Sequence, residues 1–258
     1  RYYSEQMFEL CFSLTTKVLQ FMSEPSAFGL TPIGHIASPF KQKFAIPRQP
    51  ALADARGSVR LTPSFNDANC LRGIETYSHL WLLFLFHENL DQGWTPTVRA
   101  PRLGGNSRIG VFASRSTFRP NGIGMSVVKN LGAEQLQGRW QLNVGGIDLL
   151  DGTPVIDIKP YLPYSDNVTD AEAHLLDEHP LPAREVHFTE QATAQLNAQP
   201  HSDLQALIIQ CLSQDPRPAY RQSKDNDPKT YQVVFYDRDI QWVVQNGKVL
   251  VTSLEQVS

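Results

Sequence analysis

The chain has 258 residues, 41% of them hydrophobic and 19% charged, which is enough apolar material for a core in water. Its 18 prolines and 16 glycines are dispersed, which excludes a collagen-like or low-complexity linker protein, and no apolar run reaches the ~18 residues of a membrane-spanning helix. The formal net charge of −3, taken alone, points away from a nucleic-acid partner.

Arg1 to Phe21 carries no initiator methionine, and its apolar positions are too interrupted for a secretory signal. Met22-Ser23-Glu24-Pro25 reads as a natural start, so this stretch is expected to be an extension with a short helix over Glu9 to Phe21. From Thr31 to Tyr164 the pattern is that of β-structure. The seven-residue apolar run Leu80 to Phe86 has the length of a strand buried on both faces. Trp140 to Val144 alternates as a half-buried strand does. Gly110 to Ala113, Ser126 to Leu131 and Val155 to Ile158 add short strands, with a turn at Asp151-Gly152. No long amphipathic helix alternates with them, so a doubly wound sheet is disfavoured and a barrel or sandwich favoured.

Ser165 to Pro182 is acidic and reads as a linker. Ser202 is placed to cap a helix with Leu204, Leu207, Ile208, Cys211 and Leu212 on one face. Asp215-Pro216-Arg217-Pro218 ends it, since proline lacks the amide donor. Tyr231, Val233 and Phe235 mark one strand and Trp242 and Val244 the next, with an Asn246-Gly247 hairpin into Val249 to Thr252. The expected organisation is an extension over 1–27, a β domain over 28–165, and a linker with a small α+β domain over 166–258.

The net charge conceals a segregation. Gln92 to Ala133 contains no acid, yet holds Arg99, Arg102, Arg108, Arg115, Arg119 and Lys129; Pro25 to Ala53 likewise lacks acids and holds Lys41, Lys43 and Arg48. All 26 acids lie elsewhere. A basic working surface on an acidic carrier suits a protein that holds an anion locally. The three cysteines, Cys11, Cys70 and Cys211, are far apart and odd in number, so a reducing cytoplasm is expected and a disulfide framework is not.

The densest chemistry runs from Val98 to Gly124, where arginines sit among glycines and prolines on constrained loops. Arginine's rigid fork fits phosphate and carboxylate groups, and glycine lets backbone amides approach a ligand. Neither a P-loop nor a strand–G-x-G-x-x-G–helix fingerprint is present. A second segment, Asp148 to Tyr161, places Asp148 and Asp151 around an apolar pair, with Asp157 beside Lys159 in the next strand. These aspartates either cap turns and form surface pairs or accept bonds from a ligand. His87-Glu88 follows the apolar strand at its rim. His174, His179 and His187 match no common zinc spacing, and no metal site is expected.

Together these segments resemble the TrmO family of tRNA N6-threonylcarbamoyladenosine methyltransferases, which use S-adenosylmethionine. The resemblance runs through Thr31-Pro32-Ile33-Gly34, Ser38-Pro39-Phe40, Pro47-Arg48-Gln49-Pro50, Arg72-Gly73-Ile74-Glu75 and Ser78-His79-Leu80-Trp81. It continues through the arginine-rich segment, Asp148 to Tyr164, and the C-terminal signature Asp215-Pro216-Arg217-Pro218-Ala219-Tyr220. Gly122 and Ala100 depart from it, standing where proline is common. The resemblance implies a mainly β fold, a small antiparallel non-Rossmann β-barrel with a smaller α+β C-terminal domain, assembled as a homodimer. It implies cofactor contacts from Gln49, Pro50, Ala51, His87, Glu88, Arg115, Met125 and Asp148-Leu149-Leu150-Asp151. The implied substrate is modified adenosine 37 beside a tRNA anticodon, held by Arg99, Arg102, Arg108, Arg119, Asn121, Arg217 and Tyr220. The accepting N6 must shed a proton, and Asp148, Asp157, Tyr161 and His87 are the candidate bases. A catalytically silent RNA-binding barrel is the alternative reading of the same residues.

Overall fold

Leu80, Leu82 and Phe84 point into a core shared with Ile36, Val59, Leu61, Val128, Leu142, Val144 and Val155. The fold, given by a computed structural model, is described for residues 29–99, 107–174 and 183–257. Two units divide the chain, Arg1–Thr31 and Pro32–Ser258. Residues 29–31 of the first are exposed and have no regular structure; the expected helix over Glu9 to Phe21 lies outside the described residues.

In the second unit the strands are β1 (Gly34–Ala37), β2 (Arg56–Leu61), β3 (His79–Leu85), β4 (Thr97–Arg99), β5 (Arg108–Gly110), β6 (Ile123–Leu136), β7 (Arg139–Gly145) and β8 (Pro154–Pro160). Six of them close a barrel in the order β1-β2-β7-β6-β3-β8, each neighbour antiparallel. β4 and β5 form a separate hairpin. The mainly β expectation holds.

Local details differ from the sequence reading in instructive ways. β3 is not buried on both faces: its residues alternate between buried and half-buried. Its outward Leu83 and Leu85 instead line a cleft, which is why the run is apolar throughout. The strand expected over Gly110 to Ala113 ends at Gly110, and Val111–Ala113 forms a 3-10 turn. Gly122 adopts φ +59°, which a proline ring fixed near about −65° cannot do, so the departure from the family pattern changes the turn rather than loosening it.

Beyond the barrel, β10 (Asp227–Phe235), β11 (Arg238–Gln245) and β12 (Lys248–Gln256) form an antiparallel meander, and β9 (Val186–Phe188) adds in parallel to β12. Helices Glu190–Asn197 and Leu204–Ser213 accompany this sheet, and the second buries the five apolar residues expected of it. Asp203, not Ser202, stands at its N-terminus, and its carboxylate accepts from the Tyr236 hydroxyl at 2.7 Å instead of capping. The first helix was not anticipated; its signal is Thr189, whose Oγ1 accepts from the Ala192 amide at 3.1 Å.

Candidate active site

β3 ends at Leu85, where the chain turns outward through the 3-10 segment His87–Gln92. Across the barrel seam Leu82 faces Ser126, Leu83 faces Met125 and Phe84 faces Gly124. A Cβ at position 124 would come within 2.4 Å of the Phe84 ring and 2.8 Å of Phe86, so only glycine lets the rings close over this seam. A cleft of about 800 Å³ opens here, walled by residues 46–49, 114–119 and 148–150.

Asp148 is the central polar group. Its loop is anchored where Ser38 Oγ donates to the Leu149 carbonyl at 2.8 Å, and where the Thr153 amide closes a turn onto Leu150 at 3.2 Å. Ser126, almost wholly buried on the inner face of β6, donates its hydroxyl to Asp148 Oδ1 at 2.7 Å. Burial pushes the Asp148 carboxyl up to about 6, against the lowering pull of the Ser126 bond and the Arg115 charge. Arg115 forms no ion pair with it and instead donates to Gln49 Oε1. Arg119 donates to the Ser114 carbonyl at 3.0 Å, which fixes the 114–119 wall. On the far rim Lys43 Nζ reaches the Glu88 carbonyl at 3.1 Å and lies 3.7 Å from its carboxylate, while His87 Nε2 is 3.9 Å from Glu88.

This composition fits a nucleoside-like zwitterion. Leu83, Leu85 and Phe86 offer an apolar bed for a flat ring, Arg115 a fork for a carboxylate, and Asp148 and Glu88 acceptors for amino or hydroxyl groups.

Of the residues singled out in the sequence, Gln49, His87, Glu88, Arg115, Met125, Asp148, Leu149 and Leu150 line this cleft, and so does Arg119, expected on the RNA. Pro50, Ala51, Asp151, Asp157 and Tyr161 are not in its lining. Ala51 donates its amide to the Gly146 carbonyl at 2.9 Å. The Asp151 carboxylate is spent on structure, accepting from the Ser38 amide at 2.9 Å and from Lys41 at 2.8 Å. Asp157 shares the outer face with Leu83 but pairs with Lys159 at 2.9 Å. Tyr161 packs 5.9 Å from Trp81, with its amide on the His79 carbonyl at 3.1 Å. That is two to four residues along β3 from Leu83, the nearest cleft position, roughly 7–13 Å at strand rise. Tyr161 is thereby withdrawn from the catalytic set, while Asp157, opposite the cleft residue Leu83, is engaged by Lys159.

The expected RNA contacts divide too. Arg99, Asn121 and Tyr220 are exposed; Arg102 lies outside the described residues. Arg108 spends its guanidinium on Thr97, at 2.9 Å to Oγ1 and 3.1 Å to the carbonyl. Arg217 is a correction: it is buried, bound to both oxygens of Asp215 at 2.7 and 2.8 Å and 3.4 Å from Asp227. A guanidinium so enclosed cannot reach a phosphate. Ser126 and Phe86 are among the cleft residues that the sequence reading of the site did not include. Ser126 alone carried a signal, a polar residue two places before core Val128 on the same face.

A closed barrel holding such a cleft differs from the doubly wound sheet that commonly carries nucleotide sites. Residues 35–167 match the tRNA-methyltransferase O N-terminal domain, and residues 182–257 match the TrmO C-terminal domain. The chain belongs to the tRNA-methyltransferase O family. It is 46% identical over 233 residues to the tRNA (adenine(37)-N6)-methyltransferase of Escherichia coli strain K12, covering 89% of this chain and 99% of that protein. It is 40% identical over 136 residues to a Pyrococcus abyssi protein named "Probable S-adenosyl-L-methionine-binding protein", covering 52% of this chain and 68% of that one. A crystal structure of TrmO from Pseudomonas aeruginosa matches with a TM-score of 0.71 at 42% identity, over 91% of this chain and 99% of the other.

Proposed function

We propose that the chain transfers a methyl group from S-adenosylmethionine to N6 of threonylcarbamoyladenosine at tRNA position 37. The observation that carries this reading is Asp148, half-buried in an apolar cleft and facing Arg115 without being neutralised by it. S-adenosylmethionine supplies a methyl group on a sulfonium, already activated for transfer. The protein's task is alignment and removal of a proton. N6 of the modified base is bonded to a carbonyl, so its lone pair is delocalised and its proton must leave as the new bond forms. Asp148, ionised above pH ~6, is the group placed to take that proton and pass it to solvent. The Ser126 hydroxyl holds the carboxylate in one rotamer while it does so. Arg115 receives the cofactor's carboxylate, with Gln49 fixing its fork.

For the RNA, Arg119 at the cleft edge, Arg99, Asn121 and the exposed ring of Tyr220 are the contacts this reading retains, and unpaired loop bases stack on such rings. Phe112, 80% exposed, and Met125, 54% exposed, lie beside this site and support a homodimer whose interface adjoins it. No helix among the described residues is long and apolar enough to cross a membrane, and the cysteine usage supports a cytoplasmic enzyme.

Mass spectrometry of nucleosides from tRNA incubated with the protein and S-adenosylmethionine tests the proposal: position 37 should gain one methyl group. Salt-sensitive tRNA binding with no methyl gain would instead make the barrel an RNA-binding module.

A further inference from the structure

We infer that the C-terminal sheet holds one wall of the cleft in place, with Phe44 and Tyr231 as positioning residues for cofactor binding. This rests on the reading of the cleft as an S-adenosylmethionine site. The wall in question is residues 46–49, which brings Ile46, Pro47, Arg48 and Gln49 to the cavity and, through Gln49, meets the Arg115 guanidinium.

The segment is short of regular structure of its own, since no strand or helix lies between β1 and β2. Alanines bracket it in left-handed conformations, Ala45 at φ +63° and Ala51 at φ +62°. A residue with a Cβ stays there only where surrounding contacts hold it. Besides the Ala51 amide on the Gly146 carbonyl, those contacts come from the C-terminal sheet and its helix. On the entering side Phe40 packs edge-on against Phe235 at 5.7 Å, the Tyr236 amide donates to the Pro39 carbonyl at 2.8 Å, and Gln42 reaches the Gln232 carbonyl at 3.4 Å. Phe44 then stacks on Tyr231 at 6.5 Å with a 16° tilt, directly before the wall begins. On the leaving side the Asp54 amide donates to Gln210 Oε1 at 2.8 Å, and Gln214 donates to the Leu52 carbonyl at 3.3 Å.

Tyr231 is itself immobilised. Its ring stacks on buried Trp242 at 4.7 Å, and its hydroxyl donates to Asp227 at 2.8 Å. Asp227 is bound in turn by Arg221 at 2.9 Å and lies 3.4 Å from Arg217. The C-terminal signature therefore reaches the cofactor cleft through an unbroken series of contacts: Arg217, Asp227, Tyr231, Phe44, then the wall and Arg115. Its ion pairs fix a sheet surface, and that surface fixes the loop that completes the site.

The test uses the full chain and three variants: Phe44→Ala, Phe44→Leu and the double variant Gln210→Ala/Gln214→Ala. Calorimetry gives the affinity for S-adenosylmethionine, steady-state kinetics with tRNA separates KM from kcat, and circular dichroism reports folding. Phe44→Ala should raise both Kd and KM for the cofactor roughly tenfold, the scale of one charged hydrogen bond loosened, while kcat changes less than about twofold. Phe44→Leu, which refills the gap over Tyr231, should recover most of that loss. The glutamine pair, whose side chains meet the loop through its backbone groups, should raise Kd about threefold without unfolding the chain. If the unaltered chain binds the cofactor and a folded Phe44→Ala variant binds it equally well, the inference is overturned. Should Phe44→Ala fail to fold, an unchanged Kd in the glutamine variant overturns it. An unaltered chain that binds no cofactor overturns the reading of the cleft instead.

Discussion

Two aspartate–arginine pairs occupy opposite ends of this molecule's chemistry. In the cleft, Asp148 and Arg115 feel each other's charge without touching, and burial lifts the carboxyl to about 6. In the C-terminal region Asp215 is fully buried, but Arg217 and Arg184 bind it at 2.7 to 2.8 Å, so its carboxyl is held below the usual range despite the desolvation that would raise it. The same two side-chain types thus give an unspent pair, poised to receive ligands, and a spent pair that stabilises a fold. What separates them is the supply of partners. Arg115 stands in a stretch free of acids, whereas Arg217 stands between Asp215, Asp225 and Asp227. An arginine whose neighbours cannot neutralise it is available; one surrounded by carboxylates is committed.

Asp148→Asn gives the largest expected effect. If Asp148 takes the proton, kcat should fall by ~10²- to 10⁴-fold, the range for losing a general base. The unaltered enzyme should lose kcat/KM as pH drops below about 6, because protonation removes the acceptor. The stability sign is opposite. A carboxyl whose folded pKa is raised costs stability where it is ionised, above about pH 6, and that cost vanishes as pH falls toward its unfolded value of 3.8. The asparagine variant should therefore melt a few degrees higher at pH 8. A variant that is inactive and also less stable at pH 8 would show a damaged cleft rather than a missing base.

Arg217→Ala should act on stability first. Removing one member of a buried pair strands Asp215, at a cost of ~3–5 kcal/mol read as a large fall in the urea midpoint. Lysine should not restore it, since a point charge cannot span both carboxylate oxygens. Asp215, with its lowered pKa, contributes stability above pH 3.8 and loses it as pH falls through its folded value, the reverse of Asp148. A variant with an unchanged midpoint but a raised KM for tRNA would return Arg217 to the RNA surface and dissolve the contrast. Arg115→Ala is the complementary experiment: KM for S-adenosylmethionine should rise by ~10- to 100-fold, while the urea midpoint stays where it was, because the exposed guanidinium supports no core.

The sequence revealed these regions unequally. Four barrel strands were legible, β7 from its period-two alternation and β3, β6 and β8 from short apolar stretches between turn residues, whereas β1 and β2 were not expected. Asp148 and the arginine loop were visible because chemistry concentrates there in consecutive residues. Tyr161 misled because nearness in sequence to Asp148 does not survive the strand direction: β8 passes Asp157 opposite Leu83 and carries Tyr161 on toward the other end of β3. Arg217 misled because its two acidic partners, Asp215 and Asp227, lie within a short, locally looped stretch whose closure no periodicity announces. Ser126 was half legible: its spacing from Val128 marks it as inward-facing, but only the fold brings its hydroxyl to Asp148.

The smallest effect tests whether the acid-free window from Gln92 to Ala133 works as one surface. Lys129 belongs to that window by sequence, but β6 carries it toward Asp54, with which it pairs at 3.0 Å, both side chains more than half exposed. An exposed pair of this kind contributes ~0.2–1 kcal/mol and is screened by salt. Lys129→Ala should shift the urea midpoint only slightly, and not at all at high ionic strength. It should leave KM for tRNA within about twofold and the salt slope of tRNA binding unchanged, because a cation already neutralised by Asp54 releases no counterion from RNA. Arg119→Ala, at the cleft edge, should lower that slope by about one. Equal losses in the two variants would mean that the RNA follows the whole window around the barrel, and that partner supply does not decide which basic residues are free to bind it.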